Sequence, residues 1–208
     1  LEDENSMATY SVGGLILSNS GMITSNYWLS EVYDAQITNA HKNGDLYIHN
    51  INMLTGCSAG WSLEDLILKG LPSVNKMISS LPAKHLSTLC NQMVNFLGIM
   101  QNEWASAQSF AHFDTLLVPF IHQDKLSFKM VSDCLESFIY GINIPSRWGT
   151  QAPFSQITLD WNVPQEFINK KAIVAGCECD FTYGDCQKEM KILHDALFEV
   201  INKGDISG

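Results

Sequence analysis

From Lys84 to Trp104 apolar side chains recur every three or four residues: Leu86, Leu89, Met93, Phe96 or Leu97, Met100 and Trp104. That spacing is helical and predicts a helix of roughly five or six turns. The stretches Met93-Val94-Asn95-Phe96 and Gln101-Asn102-Glu103-Trp104 carry apolar groups beyond a single stripe. A helix of that kind asks for partners on two sides. One reading makes it a plain core helix, and the other puts its second side at a subunit interface.

The remaining segments supply further helices and a few short strands. Residues 24 to 43 read as an amphipathic helix through Trp28, Leu29, Val32, Tyr33, Ile37 and Ala40, with Gly44 where a C-terminal cap belongs. Asp45 to Leu54 alternates in part, as a short strand or extended segment does. Ser62-Leu63-Glu64-Asp65 is close to a capping box and opens a short helix that ends at Gly70. Pro72 and Pro82 bracket a loop-rich stretch. Ser127 to Ile142 predicts a helix with Met130, Val131, Cys134, Leu135, Phe138 and Ile139 facing inward. Pro145 ends it, Ser146 to Gln151 is rich in turn formers, and Phe154 to Trp161 predicts a strand. A last helix runs from Asp185 to Lys203 through Met190, Leu193, Leu197, Val200 and Ile201. Strands alternating with long helices imply α/β architecture, with few strands for so many helices and therefore an incomplete sheet. The chain reads as one domain or part of one.

At 208 residues there is enough chain for one good-sized core or two small ones. The formal net charge of −10 argues against a general nucleic-acid surface and against an anionic membrane, both of which favour a basic face. A phosphate ligand must then be held locally, by helix N-termini and backbone amides. No apolar stretch approaches the ~18 residues of a membrane span. The acidic start Leu1-Glu2-Asp3-Glu4 does not resemble a signal peptide. Six irregularly spaced cysteines without a secretion signal favour reduced thiols in a cytoplasm over a disulfide framework. The lack of an initiator methionine and the ending at Gly208 suggest a fragment of a longer protein.

Cys57 is the outstanding candidate for chemistry. It lies in Gly56-Cys57-Ser58-Ala59-Gly60-Trp61-Ser62, after an apolar run and before the capped helix. A cysteine among small residues at the end of a strand can be held rigidly, with its sulfur free to meet a substrate. The bland alternative is a buried thiol packing as a small hydrophobe. Cys177-Glu178-Cys179 with Cys186 fits no common zinc spacing. His41, His85, His112, His122 and His194 share no spacing with acidic or cysteine partners and read as surface or capping residues. His49 has a better claim, since it precedes Cys57 on the same extended segment. No phosphate loop, dinucleotide fingerprint or nucleophile elbow is present.

Several segments, in order, resemble the anaerobic, glycyl-radical (class III) ribonucleoside-triphosphate reductases. They are Glu4-Asn5-Ser6, Tyr27-Trp28-Leu29, Gly44-Asp45-Leu46-Tyr47-Ile48-His49, Cys57 to Leu63, Gln92-Met93-Val94-Asn95-Phe96, Gln101-Asn102-Glu103-Trp104-Ala105 and Phe113-Asp114-Thr115. The most specific is Asn143-Ile144-Pro145-Ser146-Arg147-Trp148-Gly149, running into Gln151-Ala152-Pro153-Phe154. The resemblance covers the first part of the family's catalytic region. It implies that residues 1–208 form a partial catalytic domain, the first half of a ten-stranded α/β barrel with long dimer-forming helices. The second half-barrel, a second active-site cysteine, a zinc-binding cysteine cluster and the glycyl-radical loop belong to the family's downstream parts. A nucleotide-binding cone domain lies upstream.

The same resemblance implies a function. Removing a ribose 2′-hydroxyl is hard by polar chemistry, and abstracting the 3′-hydrogen first lets that hydroxyl leave as water. Cys57 matches the position taken as the family's thiyl site, and sulfur–hydrogen and activated carbon–hydrogen bonds are close enough in strength for reversible transfer. The radical comes from a glycine outside these residues, generated by a separate iron–sulfur, S-adenosylmethionine-dependent activase, and formate is the reductant. Ser146, Arg147, Trp148, Gly149 and Gln151 match the loop that links effector and substrate sites; a surface turn with an incidental arginine is the alternative. Asn102, Glu103 and Gln108 match the dimer helix and first effector loop, where dNTP or ATP binds at a homodimer interface. His49 is a possible active-site neighbour, and no metal is expected within these residues. The chain alone is expected to be inactive.

Two departures matter. Family members usually carry His-x-His-Asp where this chain has Tyr47-Ile48-His49-Asn50, and Thr150 follows Gly149 where glycine is common. They keep open a second reading, a nucleotide-binding dimerisation module without catalysis. A third, another glycyl-radical enzyme such as a formate-lyase, is disfavoured by the segment from Ser146 to Phe154.

Overall fold

The structure, a computed structural model, describes residues 11–53, 55–71, 79–146 and 152–204. Two compact units emerge. The first draws on Leu1–Ala59, Gly98–Gln108 and Ile144–Phe154; the second on Gly60–Leu97, Ser109–Asn143 and Ser155–Gly208.

The first unit opens with α1 (Val12–Tyr27), capped by Ser11, whose hydroxyl accepts from the Gly14 amide. A π-helical turn (Trp28–Val32) follows, then α2 (Ala35–Asn43). The single helix expected over 24–43 is thus longer and broken. Asp34 is the cause: its carboxylate caps Ile37 N at 2.9 Å, and that N-cap geometry needs extended backbone at Asp34. Thr38 seals the break by donating to Leu29 O at 2.7 Å. Gly44 ends α2 in the left-handed conformation, as the sequence predicts.

The strand or extended segment expected over 45–54 does not form. Asp45 N and Leu46 N both return to Ala40 O, and His41 Nδ1 accepts from Ile48 N at 3.3 Å. Amides satisfied within the turn leave no ladder to build. Asn50 adopts φ 50°, which no strand tolerates but asparagine readily takes. Leu54 lies outside the described residues.

The second unit holds the hydrophobic core. Strands β1 (Ala59–Trp61), β2 (Gln108–Phe110) and β3 (Ser155–Ile157) form a sheet in that order. Phe110 O accepts from Thr158 N and Phe113 N donates to Thr158 O, so β2 and β3 advance together, in parallel. Parallel neighbours need long crossovers, and helices fill them. Between β1 and β2 lie α3 (Leu63–Lys69) and α4 (Leu86–Met100); between β2 and β3 lie α5 (Phe113–Asp124) and α6 (Phe128–Asn143). This is mixed α/β architecture. The strand expected over 154–161 is shorter and ends at Ile157; beyond it the amides of Asp160 and Trp161 bond to the Asp114 carboxylate instead of a neighbouring strand.

The local signals around α3 hold. Ser62 Oγ accepts from Asp65 N at 3.1 Å, and Gly70 closes the helix. Helix α4 buries Leu86, Leu89, Met93 and Leu97 as predicted but ends at Met100, so Trp104 stands beyond it in a turn. Its second buried side is partly polar: Gln92 donates to Ser80 Oγ at 2.8 Å and Leu81 O at 2.7 Å. Helix α5 is buried from Phe113 to Ile121, all around its axis. That uniformity hides it from a periodicity search.

Helix α6 buries Val131, Leu135 and Phe138 but leaves Met130 51% exposed, against expectation. After β3 come a short α7 (Gln165–Ile168) and the antiparallel pair β4 (Lys171–Val174) and β5 (Cys177–Thr182). Their turn, Ala175-Gly176, has positive φ at both residues, the conformation that matches strand twist in a two-residue hairpin. A 3₁₀ turn, Tyr183–Cys186, leads into α8 (Gln187–Lys203), which packs on α5 and α6. Met190, Leu193, Leu197 and Val200 are buried there, while Ile201 is outward. Among the described residues no helix is long and apolar enough to cross a membrane.

Candidate active site

The first unit gathers segments that are far apart in sequence, and these carry the candidate residues. Cys57 is exposed in a short loop just before β1, whereas the sequence suggested the end of a strand. The loop is fastened to the turn after α4. Ala105 N donates to Gly56 O at 3.0 Å and Ser106 N to Cys57 O at 2.6 Å, while Ala59 N donates to Ala107 O at 3.0 Å. Thr55 Oγ1 donates to the backbone carbonyl of Glu103. With the backbone held on both sides of Cys57, only the side chain keeps freedom.

Gly56 makes this fit possible. A Cβ there would clash with the six-membered ring of Trp104. We expect Gly56→Ala to cost about 1–3 kcal/mol, the usual range for overpacking. Urea denaturation of the purified protein checks this; an unchanged midpoint would mean that Trp104 swings away freely.

The Cys57 sulfur has two polar neighbours. Asn50 Nδ2 and Ser58 Oγ each donate toward Sγ at 3.8 Å. His49, by contrast, turns its ring edge-on to Tyr47, with centroids 4.7 Å apart. Of the two neighbouring positions, the structure assigns the sulfur contact to Asn50, one of the departures from the family pattern.

The effector candidates take backbone roles here. Asn102 caps the end of α4 by donating to Gly98 O at 3.0 Å. Glu103 offers its carbonyl to Thr55, with its side chain exposed. Gln108 is fully buried; its amide nitrogen donates to Ser106 O at 3.3 Å and its backbone N to Phe154 O at 2.8 Å. Ser146 packs near Gly98, and its hydroxyl accepts from the buried Gln101. Arg147, Trp148, Gly149, Thr150 and Gln151 lie outside the described residues. The start of their loop is therefore anchored to the same turn that holds the Cys57 loop.

The other thiols differ from Cys57. Burial pushes Cys90 well above the ordinary thiol range and Cys186 up to about 12, and it raises Cys134 as well. Cys177 and Cys179 lie on one face of β5, where Cys179 donates to Gln123 Oε1 at 3.7 Å. Among the described residues no three His, Cys, Asp or Glu side chains are placed to hold a metal ion.

Sequence reading missed the acidic partners of the histidines. His85 lies 2.8 Å from Asp124, His122 3.0 Å from Glu189, His112 2.9 Å from Asp160 and His194 2.8 Å from Asp114. These pairs span 39 to 80 residues of chain, so no local spacing could have signalled them.

Comparison with known proteins identifies the family and the fold. The family model described as anaerobic ribonucleoside-triphosphate reductase matches residues 4–208. No protein of curated function matches the chain. Among solved structures, the fold is similar to the anaerobic ribonucleotide reductase from Thermotoga maritima in complex with dATP and CTP. That match has a TM-score of 0.74 and 21% identity, over 93% of this chain and 35% of that one. The same organism's reductase with dATP in the specificity site aligns with a TM-score of 0.75 and 20% identity, over 93% of this chain and 36% of that chain. Its form with glycerol in the active site gives 0.75 and 22%, over 96% and 35%. The chain thus spans about a third of the length of the structures it matches.

Proposed function

The chain belongs to the anaerobic ribonucleoside-triphosphate reductase family, and from that premise we propose that it forms the first part of the catalytic region of such an enzyme. The reaction is reduction of ribonucleoside triphosphates to 2′-deoxyribonucleoside triphosphates, with formate as reductant. The observation that carries this reading is the exposed Cys57, with its loop hydrogen-bonded to the turn after α4.

Cys57 is the substrate-facing thiol. It exchanges a hydrogen atom with a ribose carbon: one bond to hydrogen breaks as the other forms, and the similar strengths of the two keep the exchange reversible. A glycyl radical, made by a radical S-adenosylmethionine iron–sulfur activase and housed outside these residues, supplies the unpaired electron. The small residues Gly56, Ser58 and Ala59 admit the sugar close to the backbone. The three parallel strands form part of a ten-stranded barrel, and α4 lies at a homodimer interface. Asn102, Glu103 and Gln108 then sit beside the dNTP or ATP effector, and the loop from Ser146 to Gln151 carries the effector's state to the substrate. That coupling needs a mechanical link, which Ser146 supplies through Gln101 at the end of α4. Zinc belongs to other parts of the enzyme, and the setting is cytoplasmic.

The test is anaerobic CTP reduction after activation. A reductase containing this region converts CTP to dCTP with formate, and the 208 residues alone do not. Turnover by the isolated chain would overturn the view that it is only one part of the catalytic machinery. Failure of the complete protein under every effector would overturn the reductase reading itself.

A further inference from the structure

We propose that Thr55 is a positioning residue for Cys57: its hydroxyl ties the loop that carries the thiol to the turn after α4. The proposal rests on the reading of Cys57 as the substrate-facing thiol. Four bonds join this loop to that turn. Ala105 N donates to Gly56 O, Ser106 N to Cys57 O and Ala59 N to Ala107 O, and Thr55 Oγ1 donates to Glu103 O. Successive carbonyls of a strand point to opposite edges, yet those of Gly56 and Cys57 both accept from the same turn. The chain is therefore bent where it carries the sulfur, and cross-bonds to the turn hold that bend.

Thr55 stands immediately before the bend, and of the four bonds only its own is made by a side chain. Its acceptor is a fixed point. The peptide unit that carries Glu103 O also carries Trp104 N, which donates at 3.1 Å to the carbonyl of Met100, the last residue of α4. That unit is planar, so the end of the helix orients the carbonyl. The ring of Trp104 fills the space beside Gly56. The ring sets how near the loop can come, and the Thr55 bond keeps it from moving away.

Thr55→Val is the informative variant because it keeps the β-branched shape and removes the donor. Glu103 is exposed, so water can satisfy its carbonyl and folding is not at stake. Thr55→Ser restores a hydroxyl and serves as the rescue. The experiment uses the complete reductase, with anaerobic CTP turnover and hydrogen exchange of the Ala105 and Ser106 amides read by mass spectrometry. In Thr55→Val those amides should exchange roughly threefold to tenfold faster, the change set by one hydrogen bond of ordinary strength. Exchange in α5, which belongs to the second unit, should stay put. We expect kcat to fall roughly tenfold with KM for CTP unchanged, the pattern of a displaced reacting group. Thr55→Ser should return both readouts close to wild type.

Unchanged exchange in Thr55→Val overturns the tie. Faster exchange with unchanged kcat overturns its link to the reaction. Equal losses in Thr55→Val and Thr55→Ser would assign the effect to packing and overturn the role of the hydroxyl. The exchange measurement needs no substrate, so it decides the tie independently of the reductase assignment. Failure of that assignment would show separately, as a complete wild-type protein that never reduces CTP.

Discussion

Replacing Cys57 by serine in the complete reductase should abolish CTP reduction while leaving effector binding intact. The serine O–H bond is much stronger than the S–H bond, so hydrogen exchange with a ribose carbon loses its near-balance. Loss of a group that makes and breaks the reacting bonds costs at least about a thousandfold in kcat. Stability should barely change, because Cys57 is exposed and serine has nearly its shape; surface substitutions of this kind stay within about 0.5 kcal/mol. The effector candidates Asn102 and Gln108 bond to Gly98, Ser106 and Phe154, and none of these bonds involves the sulfur. Isotope-labelled CTP turnover and dATP titration on the same preparation measure both sides. Retained turnover would remove Cys57 from the chemistry, and lost dATP binding with lost turnover would make it a structural thiol. A protein that binds nucleotide and never turns over, with either residue at 57, would be the dimerisation module.

What the sequence revealed and what it hid divide along the range of the interactions. Helix ends announce themselves because their signals are local: Ser62 and Gly70 around α3 and Gly44 after α2 act on amides and carbonyls within a turn. The face of α8 was legible because one side meets a core and the other meets water. Helix α5 lacks that contrast, being buried all round. The break between α1 and α2 turned on Asp34, whose capping bond to Ile37 competed with an otherwise continuous apolar period. The β4–β5 hairpin turns on Ala175-Gly176, a weaker signal than Asn-Gly, and its cysteines drew attention as ligands instead.

The candidate site was readable only as a set of residues. Cys57 stands out by its small neighbours, and resemblance picked out Asn102, Glu103, Gln108 and Ser146. Their assembly through the backbone of residues 103–107 and the side chain of Gln101 is long-range geometry. The contact of Asn50 with the Cys57 sulfur has the same origin: it depends on the left-handed turn at 50, which no local signal announces.

The buried carboxylate of Asp114 should prove the most costly side chain of the second unit to remove. It is fully buried at the start of α5, and its partners come from the chain beyond β3 and from α8. Thr115 N donates to Oδ1 at 2.9 Å, Asp160 N reaches both oxygens at 3.0 Å, and Trp161 N reaches Oδ2 at 3.0 Å. His194 Nε2 lies 2.8 Å from Oδ2, within hydrogen-bond reach. Asp160 extends the network, taking a bond from Thr115 Oγ1 at 2.6 Å and lying 2.9 Å from His112. Trp161 covers it with its ring 4.9 Å from His194. Asp114→Ala strips three backbone amides and a nearly buried histidine of their acceptor at once. Breaking a buried hydrogen-bonded charge in this way costs about 3–5 kcal/mol, a large share of the 5–15 kcal/mol that typically holds a domain together. At roughly 2–4 °C per kcal/mol for a chain of this size, melting should fall by about 6–20 °C. Asp114→Asn should also destabilise, because its amide group turns a donor toward donors. Calorimetry of each variant decides the matter: a drop under about 3 °C would mean that water replaces the carboxylate, and that the join between β3 and α5 rests on packing instead.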